Sequence, residues 1–332
     1  MIISRTPFRI SLFGGGTDYP VWYNKYSGQV ISATINKYCF ITARYLPPFF
    51  DYNHRIRYYK QEEKNNLDDI EHPSVRETAK FLNIEKGIEI VHNADLPAQS
   101  GLGSSSTFTV GLLNVLYGLK NYMPTKRELA LNAIHIEQDL IGENVGSQDQ
   151  TAAAFGGFNK IIFSKNNIVD VSPILLSQDR MLQLENNLML FFTGFARNAS
   201  DIAAEQIKTT LDKKNELNKM LEICSEGMHI LNNEKESLHR IGSLLNEQWQ
   251  IKRNLTNKIS NKEIDDIYST GISAGALGGK ILGAGGGGFI LFYVPKINQN
   301  KVQTALKPKL HVPFRFDNTG SKIIYYSHQN NI

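Results

Sequence analysis

The sequence predicts a two-lobed α+β protein. Three observations support this: a length of 332 residues, strand-like runs that precede a stretch of polar helices, and three glycine-rich loops set far apart in ordinary globular sequence. A chain of this length exceeds the usual single domain, so two lobes with a cleft between them are expected. A hydrophobic fraction of 41% with 20% charged residues is enough for a sizeable core. Strands first and helices later fit an α+β arrangement of two layers per lobe.

Residues 29–46 are rich in β-branched and aromatic side chains and read as strands, stopped by Pro47-Pro48. Residues 88–92 form a short strand that leads into Pro97-Ala-Gln-Ser-Gly-Leu-Gly-Ser-Ser-Ser106. A helix begins there, because Phe108, Leu112, Val115 and Leu119 recur at three- and four-residue intervals before Met123-Pro124 ends the run. Thr125-Lys-Arg-Glu128 is a capping box that opens a second helix, with Leu129, Ala133, Ile136 and Leu140 as its apolar face. A short helix is expected over 150–155 and a strand over 158–163. Further on, polar helices are expected over 198–223, 226–254 and 261–277, followed by a strand after the last glycine loop, a helix near 298–307 and a terminal strand at 322–326. The lobe boundary falls near 180–190, giving units of 1–185 and 186–332.

Charge and composition exclude several classes. The formal net charge is +4 with no basic run or aromatic-interleaved stripe, which excludes a nucleic-acid surface but suits anionic substrates. Met1-Ile-Ile-Ser-Arg-Thr-Pro lacks a signal-peptide core, and no apolar run approaches a membrane span, so a cytoplasmic protein is expected. Cys39 and Cys224 are too few for a disulfide framework and have no metal-like spacing.

The Pro97–Ser106 string sets two glycines and three hydroxyls at a helix start, where free backbone N–H groups and the helix dipole favour phosphate oxygens. It is not the lysine-bearing phosphate loop; the nearest match, Gly278-Gly279-Lys280-Ile281, has isoleucine where a metal-binding hydroxyl is required. Near the C-terminus, Gly283, Gly285 and Gly288 satisfy Gly-x-Gly-x-x-Gly, but this loop opens a strand and has no acidic residue at the distance a dinucleotide site needs. The third loop, Gly14-Gly15-Gly16-Thr17-Asp18-Tyr19, follows an apolar strand and ends on a carboxylate.

These three loops, in this order, resemble the GHMP family of small-molecule kinases, and the resemblance spans almost the whole chain. It implies a ribosomal-S5-like N-terminal lobe and a ferredoxin-like C-terminal lobe, with ATP and Mg²⁺ in the cleft. The nucleotide would lie on Pro97, Ser100, Gly101, Leu102, Gly103, Ser104, Ser105 and Ser106, with Gly285 and Gly286 beside them. Gly146-Ser-Gln-Asp-Gln150 is similar to the segment that carries the family's catalytic aspartate, which makes Asp149 the candidate facing the acceptor hydroxyl. Arg9 matches the arginine that pairs with this aspartate, and a guanidinium beside a helix N-terminus favours negative charge there. Glu137, with Ser105 as hydroxyl partner, resembles the Mg²⁺ site.

Substrate contacts are expected from Gly15, Gly16, Thr17 and Asp18, where the two glycines replace the larger Glu-His of galactokinases. The Gly-Gly-Gly-Thr-Asp-Tyr-Pro form, together with residues 147–159 and 192–200, looks most like the branch that phosphorylates D-glycero-D-manno-heptose 7-phosphate at its anomeric oxygen for nucleotide-activated heptose. An acceptor that already carries phosphate needs a cationic clamp; Arg197 is the first candidate and Lys280 the second, ahead of Arg44, Arg55 and Arg57. The expected partners are ATP and a sugar phosphate, with a homodimer left open. Fucose-type and N-acetylhexosamine 1-kinases, and a non-catalytic sugar- or nucleotide-binding regulator, are the alternatives.

Overall fold

A computed structural model describes residues 1–195 and 199–327. Its strands are β1 (Ile2–Phe13), β2 (Gly28–Tyr45), β3 (His54–Arg57), β4 (Gln61–Lys64), β5 (Ile88–Ala94), β6 (Phe158–Ser164), β7 (Ile168–Pro173), β8 (Leu188–Phe192), β9 (Gly278–Ile281), β10 (Phe289–Tyr293), β11 (Leu310–His311) and β12 (Lys322–Tyr326). Its helices are α1 (Pro20–Tyr26), α2 (Pro73–Phe81), α3 (Ser104–Leu119), α4 (Lys126–His135), α5 (Gln148–Phe155), α6 (Gln178–Asn186), α7 (Ala199–Thr209), α8 (Lys214–Asn232), α9 (His239–Lys252), α10 (Lys262–Ser273) and α11 (Gln299–Ala305). Among the described residues no helix is long and apolar enough to cross a membrane.

The first lobe is an eight-stranded sheet in the order β12-β1-β2-β5-β3-β4, with β6 on β2 and β7 on β6. β2 is long enough to serve two neighbours: residues 28–33 pair with β6 and residues 39–45 with β5. The second lobe is a four-stranded antiparallel sheet, β11-β8-β10-β9.

α3 is the central element of the first core. Phe108, Leu112, Val115 and Leu119 are buried as the periodicity predicts, but so are Val110, Leu113 and Leu116. A helix apolar on every side belongs inside, and this one packs on β1 and β2 with α2, α4 and α5 around it. Its N-terminus is thereby held where the sheet, α5 and the second lobe meet.

Three features depart from the sequence reading. The unit expected over 186–332 includes the terminal strand, yet β12 pairs with β1 in the first lobe's sheet. β1 otherwise presents a free edge, and buried Ser321 fixes the return by bonding Thr6 and Asn114. The two helices expected over 198–254 are three, broken where Thr210 bonds back to the Gln206 carbonyl and where Asn233 accepts from the Lys235 N–H. The capping box forms, with Thr125 and Glu128 bonding each other's backbone N–H. Beyond it, α4 gives way to a π-helical turn over Ile136–Leu140, which swings Leu140 into solvent and draws Glu137 inside.

Candidate active site

The cleft between the lobes holds about 290 Å³ and is lined from both sides. Ser104 Oγ accepts the Gln99 N–H at 3.1 Å and closes the Pro97–Ser106 loop, the candidate phosphate loop, onto the start of α3. Ser105 is exposed at the mouth, and Ser106 turns inward to donate to Glu137 Oε2 at 2.7 Å.

The phosphate loop and the last glycine loop abut. Gly101 has φ +79°, and a Cβ there would stand 2.5 Å from the Leu282 carbonyl oxygen. A Cβ on Gly283 would stand 2.6 Å from Gly101 Cα, so this seam admits only glycine on both sides. The Phe289 N–H donates to the Ser100 carbonyl at 3.1 Å and ties the following strand to the same loop.

Asp149 stands in the first turn of α5 and faces this seam. Arg9 Nε donates to Oδ1 and Nη2 to Oδ2, both at 2.7 Å, while Nη1 donates to the Gly101 carbonyl at 2.8 Å. The arginine is 3% exposed and the aspartate 26%, so the pair is anchored on the cation and open on the anion. A forked, charge-assisted contact of this kind fixes orientation as well as charge. The Arg9 N–H also bonds the Leu102 carbonyl, which makes one residue the link between β1, the phosphate loop and α5.

Asp18 is the second carboxylate of the cleft. Its Oδ1 accepts the Gly16 N–H at 2.8 Å, and Gly146 lies so close that a Cβ there would be 2.0 Å from Oδ2. Burial, and next the charge of Asp149, push its carboxyl above the usual carboxylate range.

Glu137 is fully buried, and burial pushes its carboxyl up to about 7. Oε2 accepts from Ser106 and Gln150, while Oε1 has no hydrogen-bond partner among the described residues. An unsatisfied buried carboxylate oxygen beside hydroxyls is a donor set that suits a hard cation. Among the described residues no cluster of three or more His, Cys, Asp or Glu could hold a metal alone. Mg²⁺, which takes one or two carboxylates and completes its shell with phosphate and water, does not require such a cluster.

The cleft also gathers Gly15, Gly16 and Lys280. Lys280 Nζ donates to the Ser11 and Leu12 carbonyls at 2.9 and 3.1 Å, which braces the end of β1. Thr17 is fully buried and does not line the cleft; its hydroxyl donates to the Gly14 carbonyl at 2.8 Å and accepts the Gln29 N–H at 3.1 Å, shaping the first loop from behind. Gly283 and Ala284 line the cleft in place of Gly285 and Gly286, which pack on Ile259. Pro97 is exposed outside it, and Ser100 and Leu102 are buried beneath it. Arg44, Arg55 and Arg57 surround Glu89 on the sheet, away from the cleft. Arg197 lies outside the described residues.

Sequence reasoning missed Gln148, Tyr19, Gln206, Lys252 and Leu255, all of which line the cleft. Gln148 and Tyr19 are next to residues already singled out. Lys252 and Leu255 lie in a polar stretch with no motif to mark them.

Residues 73–157 match the GHMP kinases N terminal domain and residues 230–311 the GHMP kinases C terminal domain. The chain belongs to the GHMP kinase family. It is an ATP-dependent sugar kinase of that family. It is 33% identical to the D-glycero-alpha-D-manno-heptose 7-phosphate kinase of Campylobacter jejuni, covering 97% of this chain and 98% of the relative. The structure is similar to that of a D-glycero-D-manno-heptose 1-phosphate kinase from Bacteroides thetaiotaomicron, with a TM-score of 0.73 and 26% identity over 99% of this chain and 100% of that one. Lactococcus lactis galactokinase complexed with galactose shares the fold at a TM-score of 0.74 and 20% identity, over 97% of this chain and 94% of that one.

Proposed function

We propose that this kinase transfers the γ-phosphoryl group of ATP to the anomeric hydroxyl of D-glycero-D-manno-heptose 7-phosphate, giving the 1,7-bisphosphate for heptose activation. The observation that carries this reading is the Arg9–Asp149 pair, whose open carboxylate faces the cleft where the phosphate loop and the last glycine loop meet. The similarity to the Campylobacter jejuni enzyme supports the acceptor. So does the first loop, where Gly15 and Gly16 line the cleft without side chains and leave room for a seven-carbon sugar.

In this reading the N–H groups at the start of α3 bind the nucleotide phosphates. Asp18 grips sugar hydroxyls. Asp149 orients the attacking hydroxyl and accepts its proton, and Arg9 fixes the carboxylate in place. An anomeric hydroxyl is more acidic than an ordinary alcohol, so a weak base suffices. Glu137 with the hydroxyls of Ser105 and Ser106 would hold Mg²⁺, which would supply positive charge to offset that of the phosphates.

The test is incubation with ATP, Mg²⁺ and a sugar panel, locating new phosphate by ³¹P NMR. The panel contains heptose 7-phosphate, fucose, galactose and N-acetylhexosamines. A new anomeric phosphate on heptose 7-phosphate alone supports the reading. Preferential phosphorylation of another sugar, or of another position, overturns it.

A further inference from the structure

Lys252 closes α9 with its side chain inside the protein, 6% exposed. Its ammonium donates to the carbonyls of Gly283 and of Ile281, the latter at 3.5 Å. It lines the cleft beside Gly283, Ala284 and Leu255. Because Gly283 abuts Gly101, the ammonium stands directly behind the seam of the two glycine loops.

Among the described residues no carboxylate lies within ion-pair distance of Lys252. A lysine has three N–H donors, and main-chain carbonyls take two of them. Burying a cation without a counter-charge is costly, and burial followed by the nearby Arg9 guanidinium pushes this ammonium down to about 8. Lys280, also buried, faces the same cleft from β9. Arg9, Lys252 and Lys280 line the cleft together with Asp18, Glu143 and Asp149. Asp149 is taken by Arg9, so Lys252 is a buried cation with no carboxylate partner of its own, and such a group suits an arriving anion.

The phosphate loop lacks a component this charge can supply. Residues 97–106 contain no lysine or arginine, whereas phosphoryl transfer needs a positive group near the transferring oxygens. Arg9 is occupied by Asp149 and Gly101, and Lys280 by two close carbonyls, Ser11 at 2.9 Å and Leu12 at 3.1 Å, whereas Lys252 has one close carbonyl, that of Gly283, its other contact with Ile281 being at 3.5 Å. We propose that Lys252 is that group: held by Gly283 and Ile281, it contacts the terminal phosphoryl oxygens of ATP at the seam, doing from the second lobe what a lysine inside a phosphate loop does elsewhere. This deepens the kinase reading above and rests on it, but does not depend on which sugar is the acceptor.

The test compares binding of Mg·ATP and Mg·ADP by calorimetry in the wild type, Lys252→Met and Lys252→Arg, with melting temperature as the check on folding. Lys252→Met should weaken ATP by about 10- to 100-fold and ADP by less than about threefold, and Lys252→Arg should retain most of the preference. Equal losses for the two nucleotides, or no loss, overturn the proposal.

Where Lys252→Met fails to fold, the pH profile decides. The groups facing Lys252 are Arg9 from β1, Asp18 from the loop after it, Asp149 from α5 and Lys280 from β9. Wild-type ATP affinity should fall as pH rises past about 8, while Lys252→Arg, whose guanidinium stays charged, should not show that fall. The same alkaline fall in both proteins overturns the assignment. Failure of the wild type on heptose 7-phosphate would bear on the acceptor alone, since neither nucleotide comparison contains a sugar.

Discussion

On the wall of the cleft formed by β1, the phosphate loop and α5, charges are paired: Arg9 forks onto Asp149, and Asp18 accepts a backbone N–H. On the facing wall, formed by α9 and β9, Lys252 and Lys280 are buried against main-chain carbonyls with no carboxylate in reach among the described residues. The first wall is balanced before ligand arrives, so it can orient an acceptor hydroxyl. The second holds excess positive charge, which suits it to the phosphoryl group being moved. One kind of wall is specified by short motifs; the other exists only once two lobes have been brought together.

Removing the anion of the balanced wall should have the largest effect. Asp149→Asn should lower kcat by about 10² to 10⁴-fold with nucleotide affinity largely kept, as read by steady-state kinetics and calorimetry. A near-normal kcat would break the contrast, because the open carboxylate would then have no work to do.

Next is the seam that joins the walls. Gly101→Ala places a Cβ 2.5 Å from the Leu282 carbonyl at φ +79°, which should cost about 2 to 3 kcal/mol in chemical denaturation. It should also lower kcat by parting the loops.

Glu137 sharpens the comparison in a third way, since it is a buried acid with one oxygen unsatisfied. Its folded pKa is raised from the ordinary 4.5 to about 7, so between those values the folded state holds more protons than the unfolded one. Stability of the metal-free protein should therefore fall as pH rises through that window, and Glu137→Gln should flatten the slope by about 1 kcal/mol per pH unit. Urea midpoints measured from pH 4.5 to 8 check this.

The smallest effect serves as a control away from the cleft. Thr125→Ala removes the cap of α4 and should cost about 1 kcal/mol in stability with kcat unchanged.

What the sequence disclosed follows the same division. Gly101, Gly103 and Ser104 lie within one loop, so local pattern sufficed to mark them, whereas Arg9 and Asp149 stand out only through the resemblance to the GHMP kinases. The fold class was legible because strand and helix periodicities are local too. Thr17 looked like a substrate contact because it neighbours Asp18, yet its hydroxyl points back into the loop, a fact set by β2. Glu137 stands out in the sequence only through its resemblance to the family's Mg²⁺ carboxylate; its burial goes with the π-helical turn, which no local motif marks. The return of β12 to β1 was hidden because a strand's partner is not encoded in its own five residues. Lys252 was invisible for a related reason: its role depends on carbonyls of Ile281 and Gly283, about thirty residues away in the chain.

The central claim, that Arg9 and Asp149 work as one unit on the acceptor hydroxyl, is tested most directly by a double-mutant cycle in kcat. Arg9→Met, Asp149→Asn and the double variant are compared under saturating ATP and sugar, after confirming that each folds. Residues acting as a unit are strongly non-additive, so the double variant should be no more than a few-fold slower than Asp149→Asn alone. Losses that multiply would mean the two side chains act separately and would contradict the account.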